Sequence, residues 1–212
     1  MKAKEGPIDG LKHFLPEGTF EWVAPYFRQY TIRLTIKQER KRILGDYRNP
    51  TPQSPAHKIS INGNLNPYAF LVTLLHELAH LVNYNQYGHT VASHGKEWQE
   101  NYRQILRPFV GHHLLPADIS AALARHIHHT KATTCSDPDL YKTLARYDSD
   151  NSRLVFVDDL PEGTYFLYPR DGKTYRKSAK VRTRYRCIQD GTGAIYLFPG
   201  IAEVAPVAPP AP

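Results

Sequence analysis

The sequence predicts an α+β protein in two parts: a mostly helical domain with a small sheet, then a small antiparallel β domain. Three observations predict it. Residues 66–88 carry a dense apolar run at helical spacing. Residues 95–129 continue in helical periodicity. Beyond about Lys131 the texture changes to short β-type runs separated by turn residues. The expected divisions are 1–130, 131–203 and an unpacked Ala/Pro tail over 204–212.

In chain order, the spacings Trp22–Tyr26 and Val23–Phe27 predict a helix after Pro16-Glu17-Gly18. Tyr30 to Ile36 alternates like a half-buried strand, and Arg40 to Tyr47 predicts a second. Asn49 to Pro55 is a loop, because its prolines lack donors and fix the backbone. His57 to Asn62 reads as a third short strand. Asn66-Pro67 then opens a helix, with Asn as N-cap and Pro in the first turn, ending near Gly88. Phe70, Leu71, Leu74, Leu75, Leu78, Leu81 and Val82 spread round much of its circumference, so it is expected to be central and buried. A further helix runs from about Gly95 to Leu106 and is stopped by Pro108. Another starts at Pro116-Ala117-Asp118 and ends near His129. The β runs lie at 154–157, 164–168, 181–188 and 194–198, with turns such as Asp171-Gly172 and Asp190-Gly191 between them.

The chain has 212 residues, enough for one sizeable core and an appendage, and its 41% hydrophobic and 22% charged residues mark it as globular. No run approaches the ~18 apolar residues of a membrane span. The first residues lead into no apolar segment, so no secretory signal is expected. Cys135 and Cys187 suffice neither for a disulfide framework nor for a four-cysteine zinc site. A reduced, cytoplasmic protein without a membrane partner is the resulting expectation.

Chemistry concentrates in His76-Glu77-Leu78-Ala79-His80. Residues four apart on a helix lie about 40° apart round the axis and one turn along it, so both imidazoles can reach one metal ion. Glu77 projects beside them, placed to take a proton from the metal's water. Zinc suits imidazole ligands and keeps an open position in catalytic sites. With 11 His and 9 Glu in the chain, a chance occurrence of this spacing is expected roughly 0.02 times. The plain alternative is two buried histidines with a glutamate partner, but polar groups in so apolar a helix need compensation, which one metal gives to all three. A third ligand must come from elsewhere. His94, in Ser93-His94-Gly95-Lys96-Glu97-Trp98, is favoured over His89, which follows Gly88 in a connecting loop.

The segment HELAHLVNYNQYGHTVASHGKEW, residues 76–98, resembles the SprT-like zinc metallopeptidases, which include the Spartan DNA–protein crosslink proteases. The family mark is HExxH followed about a dozen residues on by His-Gly-x-x-Trp or Phe. The likeness covers most of residues 15–130 and is dense only over 70–106. It implies one Zn²⁺ held by His76, His80 and His94, Glu77 as general base, and a minimal zincin-like fold with a shallow cleft. It also implies a protein substrate, extending to protein bound or crosslinked to DNA, and so a role in DNA repair. By fold analogy, the strand at Lys58 to Ile61 is expected to pair with an extended substrate. Many relatives end in a zinc ribbon. Here Arg184 to Asp190 looks like a ribbon knuckle that has lost its second cysteine, so the β domain is expected to hold together without metal.

The formal net charge of +7 suggests an anionic partner. Between Arg170 and Arg186 eight bases face one acid, whereas the segment just upstream is acidic. Arg176, Lys177, Lys180, Arg182, Arg184 and Arg186 are candidate DNA contacts, the last three expected on one strand face beside stacking aromatics such as Tyr175 and Tyr185. A solvated charged face over an aromatic core is the plain alternative. His112-His113 and His126 to His129 could form an accessory metal site, though surface positions near a helix end explain them more simply. Two rival readings remain: a nucleic-acid-binding module with a structural or inactive metal site, and a metal hydrolase of small molecules, against which a shallow cleft argues.

Overall fold

The computed structural model describes residues 8–40, 43–112, 114–129, 137–148 and 154–209. Lys41 and Arg42 in the expected second strand, His113, Cys135 and the last three tail residues lie outside these. The chain divides into two compact units, Met1–Asp148 and Ser149–Pro212. It is a mixed α and β protein, with a mainly helical first unit and a separate antiparallel sheet in the second.

The first unit is built round helix α2, Pro67–Tyr87. Asn66 caps it, its side-chain oxygen accepting from Tyr68 N–H at 3.1 Å and Ala69 N–H at 2.9 Å. Gly88 ends it at φ 59°, a left-handed value that suits glycine. Phe70, Leu71, Leu74, Leu75, Leu78 and Leu81 are fully buried, as the apolar circumference requires. Around it lie α1 (Phe20–Gln29), a sheet of β1 (Ile32–Lys37), β2 (Gly45–Arg48) and β3 (His57–Asn62), and helices α3 (Lys96–Gly111), α4 (Ala117–His129) and α5 (Pro138–Ala145).

The sheet order is β1-β3-β2, with β1 parallel and β2 antiparallel to β3. This corrects the expectation that Lys58 to Ile61 receives a substrate strand. Both edges of β3 are already hydrogen-bonded, and the free edge beside the site belongs to β2. Strand β2 is also shorter than the expected run from Arg40. The reason is visible at Arg40, whose guanidinium bonds Asn62 Oδ1 at 2.7 Å and Ser60 Oγ at 2.9 Å, while buried Asn62 donates to the Ile43 carbonyl at 3.0 Å. These contacts clamp the segment leading into Gly45.

Pro108 does not stop α3, which runs on to Gly111. Burial of Phe109 at 1% exposure offsets the backbone hydrogen bond the proline forfeits. Helix α5 was not expected. Asp137 caps it and Pro138 occupies its first turn, and Leu140 and Leu144 join the core of the first unit, so the expected division at 130/131 moves to 148/149.

The second unit is a six-stranded antiparallel sheet of order β4-β9-β5-β6-β7-β8: β4 (Val155–Phe156), β5 (Tyr165–Tyr168), β6 (Lys173–Val181), β7 (Arg184–Gln189), β8 (Ile195–Pro199) and β9 (Glu203–Val207). Strand β9 corrects the expected unpacked tail: Val204 is fully buried, and the strand pairs with both β4 and β5. The single run expected over 181–188 is split by a turn in which Arg182 takes φ 55°. Phe166, Tyr175, Cys187, Phe198 and Val204 form the core on one face. Cys187 therefore sits mid-strand in an apolar interior, where burial pushes its thiol up to about 11.

Candidate metal centre

One turn of α2 separates His76 and His80, and their Nε2 atoms lie 3.2 Å apart. His94, in the turn ahead of α3, brings its Nε2 to 3.3 Å from that of His76. Among the described residues this is the one cluster of at least three side chains whose donor atoms converge closely enough to hold a metal ion.

Two local features aim His94. Its carbonyl accepts from the Gln99 side chain at 3.1 Å, and Gly95 N–H bonds the Ala92 carbonyl at 3.0 Å, which tightens the turn. Fully buried Trp98 then forms a floor under all three imidazoles, with ring centroids 4.6 Å from His94, 4.7 Å from His76 and 5.2 Å from His80.

Burial, reinforced by the neighbouring imidazoles, depresses His76 to about 2; burial and His94 hold His80 at about 4. Burial also lowers His94. All three are neutral near pH 7, the form that ligates metal. Three neutral imidazole nitrogens converging beside an open cleft fit a divalent ion such as zinc, with a position left open. His89 is exposed and packs edge-on against Tyr84 at 5.3 Å, outside the cluster. Of the other histidines, His126 is 1% exposed rather than on the surface, with Nδ1 2.8 Å from Asp137 Oδ2.

Glu77 is 5% exposed. Burial first, then the Asp46 carboxylate, push it up to about 8, with Arg40 opposing them. Gly45, the first residue of β2, lies against Glu77. A Cβ built on Gly45 would lie 2.5 Å from Glu77 Oε1 and 2.7 Å from Thr73 Cγ2, so a larger residue there must displace one of these side chains. Tyr47, two residues on, bonds His57 Nδ1 at 2.9 Å, and its ring lies 6.0 Å from His80, nearly parallel to it. Sequence reasoning missed Gly45, Asp46 and Tyr47, because their proximity arises from sheet pairing and carries no local mark. A cleft lined by Gly45, Tyr47, His76, Glu77, His80 and His94 joins these parts.

The sequence model of the SprT-like family matches residues 19–119. This span of the chain is a SprT-like domain. No curated protein and no solved structure matches the chain. The matched span of the SprT-like domain contains the three histidines, Glu77 and all of β2, and the family implies zinc and a metallopeptidase-like activity.

The candidate DNA contacts do not form one surface. Arg176, Arg184 and Arg186 are exposed and share a sheet face, since Arg176 pairs across to Ile188 and the other two lie two and four residues along the same strand. Lys177 is on the opposite face and 5% exposed. Its ammonium bonds the carbonyls of Leu160 and Asp158 and lies 4.1 Å from the Tyr185 ring centre. Lys180 approaches Asp158 at 3.5 Å, and Arg182 lies in the β6–β7 turn rather than on the arginine face. Tyr175, expected to be free for stacking, is core. Among the described residues no helix is long and apolar enough to cross a membrane.

Proposed function

We propose that the SprT-like domain is a zinc-dependent endopeptidase with a zincin-like site. The convergence of three neutral imidazoles, two from α2 and one from the turn before α3, beside the buried Glu77 side chain carries this reading. His76, His80 and His94 would hold a single Zn²⁺, which when bound polarises a carbonyl and acidifies a water. Glu77 accepts a proton and returns it to the departing amine, a task for which its place beside His76 on α2 suits it. Gly45 leaves room for the carboxylate. The unpaired edge of β2 runs beside the cleft, so an extended peptide can add to it as a further strand. That preference for extended backbone argues for protein over small-molecule substrates.

A nucleic-acid-binding role for the second unit is favoured by one observation, the exposed face holding Arg176, Arg184 and Arg186. In the combined reading the substrate is a protein bound or crosslinked to DNA, in the cytoplasm, and the second unit supplies DNA affinity without metal. Glu77→Gln tests the catalytic reading. It should lower cleavage of casein or histones about 10²–10⁴-fold while zinc content and DNA affinity stay at wild-type levels. Cleavage at the wild-type rate removes Glu77 from the mechanism. If only DNA binding is observed, with no cleavage by wild type under any condition, the binding-module reading replaces the peptidase.

A further inference from the structure

A second cavity, of about 260 Å³, adjoins His76 and Glu77. It is walled by α2 (Ala69, Val72), α5 (Leu144, Ala145) and the segment before β2 (Ile43, Leu44). Gly45, His76 and Glu77 line both this cavity and the metal cleft, so the two adjoin. The expected shallow cleft therefore has a cavity beside it.

We propose that this cavity receives the substrate side chain adjoining the scissile bond and selects a bulky aliphatic or aromatic residue there. The inference rests on the peptidase reading. Three features support it. The cavity is smaller than the ~300–1,000 Å³ of most small-molecule sites, which fits one amino-acid side chain. A chain laid along β2 advances about 3.3 Å per residue, so a carbonyl at the imidazoles puts the next side chain at the Glu77 boundary. The walls are mostly apolar, from Ile43, Leu44, Leu65, Ala69, Val72 and Leu144. Of the polar lining groups, Asn66 has its oxygen on Tyr68 and Ala69 N–H and its nitrogen on the Leu144 carbonyl and Asp148, and Thr73 donates to the Ala69 carbonyl. An apolar side chain entering there buries its surface. Ile43, 45% exposed at the rim, gains a function as the outer lip.

The test uses the full chain and fluorogenic peptides that differ only in the residues flanking the scissile bond: Leu, Phe, Ala, Gly or Asp. Wild type should cleave the Leu or Phe peptide with kcat/KM roughly tenfold or more above the Gly or Asp peptide. Fluorescence anisotropy with Glu77→Gln should rank their affinities in the same order. Ala69→Phe and Ala145→Phe fill the cavity from two different helices. Each should bring the Leu-to-Gly ratio down towards unity while zinc content, read by metal analysis, is retained. Cleavage without preference, or a ratio unchanged in both variants, overturns this inference alone. Absence of cleavage for every peptide overturns the peptidase reading, and the affinity ranking with Glu77→Gln then decides the cavity by itself.

Discussion

In the first unit three imidazoles bring their ligand atoms within 4.8 Å of one another beside a cleft; in the second, six basic side chains spread over two faces and a turn of one sheet. Charge explains the difference. Desolvated imidazoles lose their protons and can approach without repulsion, leaving lone pairs that one cation satisfies together. Lysine and arginine keep their charge, so a fold separates them unless an anion gathers them. Lys177 is neutralised inward by carbonyls and an aromatic face, Lys180 by Asp158, and only three arginines stay on the open face. A cluster of neutral donors therefore carries more functional information than a run of cations of similar length.

The largest effect should come from breaking the convergence itself. His94→Ala leaves two ligands and should reduce bound zinc from stoichiometric to near zero, with loss of cleavage. Metal analysis after gel filtration checks this. Because metal bound only to the folded state stabilises it, the same variant should forfeit the zinc-dependent rise in melting temperature, about 4 kcal/mol when free zinc exceeds Kd a thousandfold. Zinc retained in full would place the third ligand elsewhere.

Gly45→Ala sharpens the comparison by leaving the ligands alone. The added methyl must displace Glu77 or open β2, and a misplacement of about 1 Å is enough to cost roughly 10²-fold in rate. Zinc content should not change. Cleavage within twofold of wild type would show that the carboxylate has room to relax.

These two positions also show what a sequence can and cannot disclose. His76, Glu77 and His80 were legible because a helix has a fixed period and this one is apolar nearly all round. His94 was legible from the Gly95 and Trp98 beside it. Gly45 was not, because its contact with Glu77 depends on β2 joining the sheet edge, and the order β1-β3-β2 has no local signature. Helix α5 was legible in principle, since Asp137-Pro138 is a capping pair followed by Leu140 and Leu144 at helical spacing. The change of texture at Lys131 drew the boundary too early. In the second unit, strict alternation failed at the irregularity between Lys177 and Lys180 and at the Arg182 turn.

The divided basic residues allow a more modest test within the second unit. Lys177→Met removes the donor for two carbonyls and should destabilise that unit by about 1–3 kcal/mol, seen as faster amide exchange in β5 to β7. Arg184→Ala and Arg186→Ala should alter stability by less than about 0.5 kcal/mol. If the open face binds DNA, each should lower the slope of log affinity against log salt by about 0.9. A slope that is indifferent to both arginines leaves the face as a solvated surface.

The smallest expected effect concerns Asp137, which joins α5 to the buried His126. Burial alone would raise its pKa, but the His126 hydrogen bond and the N–H groups of Leu140 and Asp139 together hold it below 3.8. A depressed folded-state value means that the carboxylate stabilises the fold above pH 3.8, and that this contribution fades as pH falls through the lower folded value. Asp137→Asn retains an N-cap but loses the charge facing His126. Its melting temperature should therefore lie below that of wild type at pH 6, by the equivalent of about 1 kcal/mol, and the gap should close as both are titrated below pH 3.8. A gap independent of pH would mean that the residue acts by shape and capping alone, leaving the carboxylate charge without a part in seating α4 against α5.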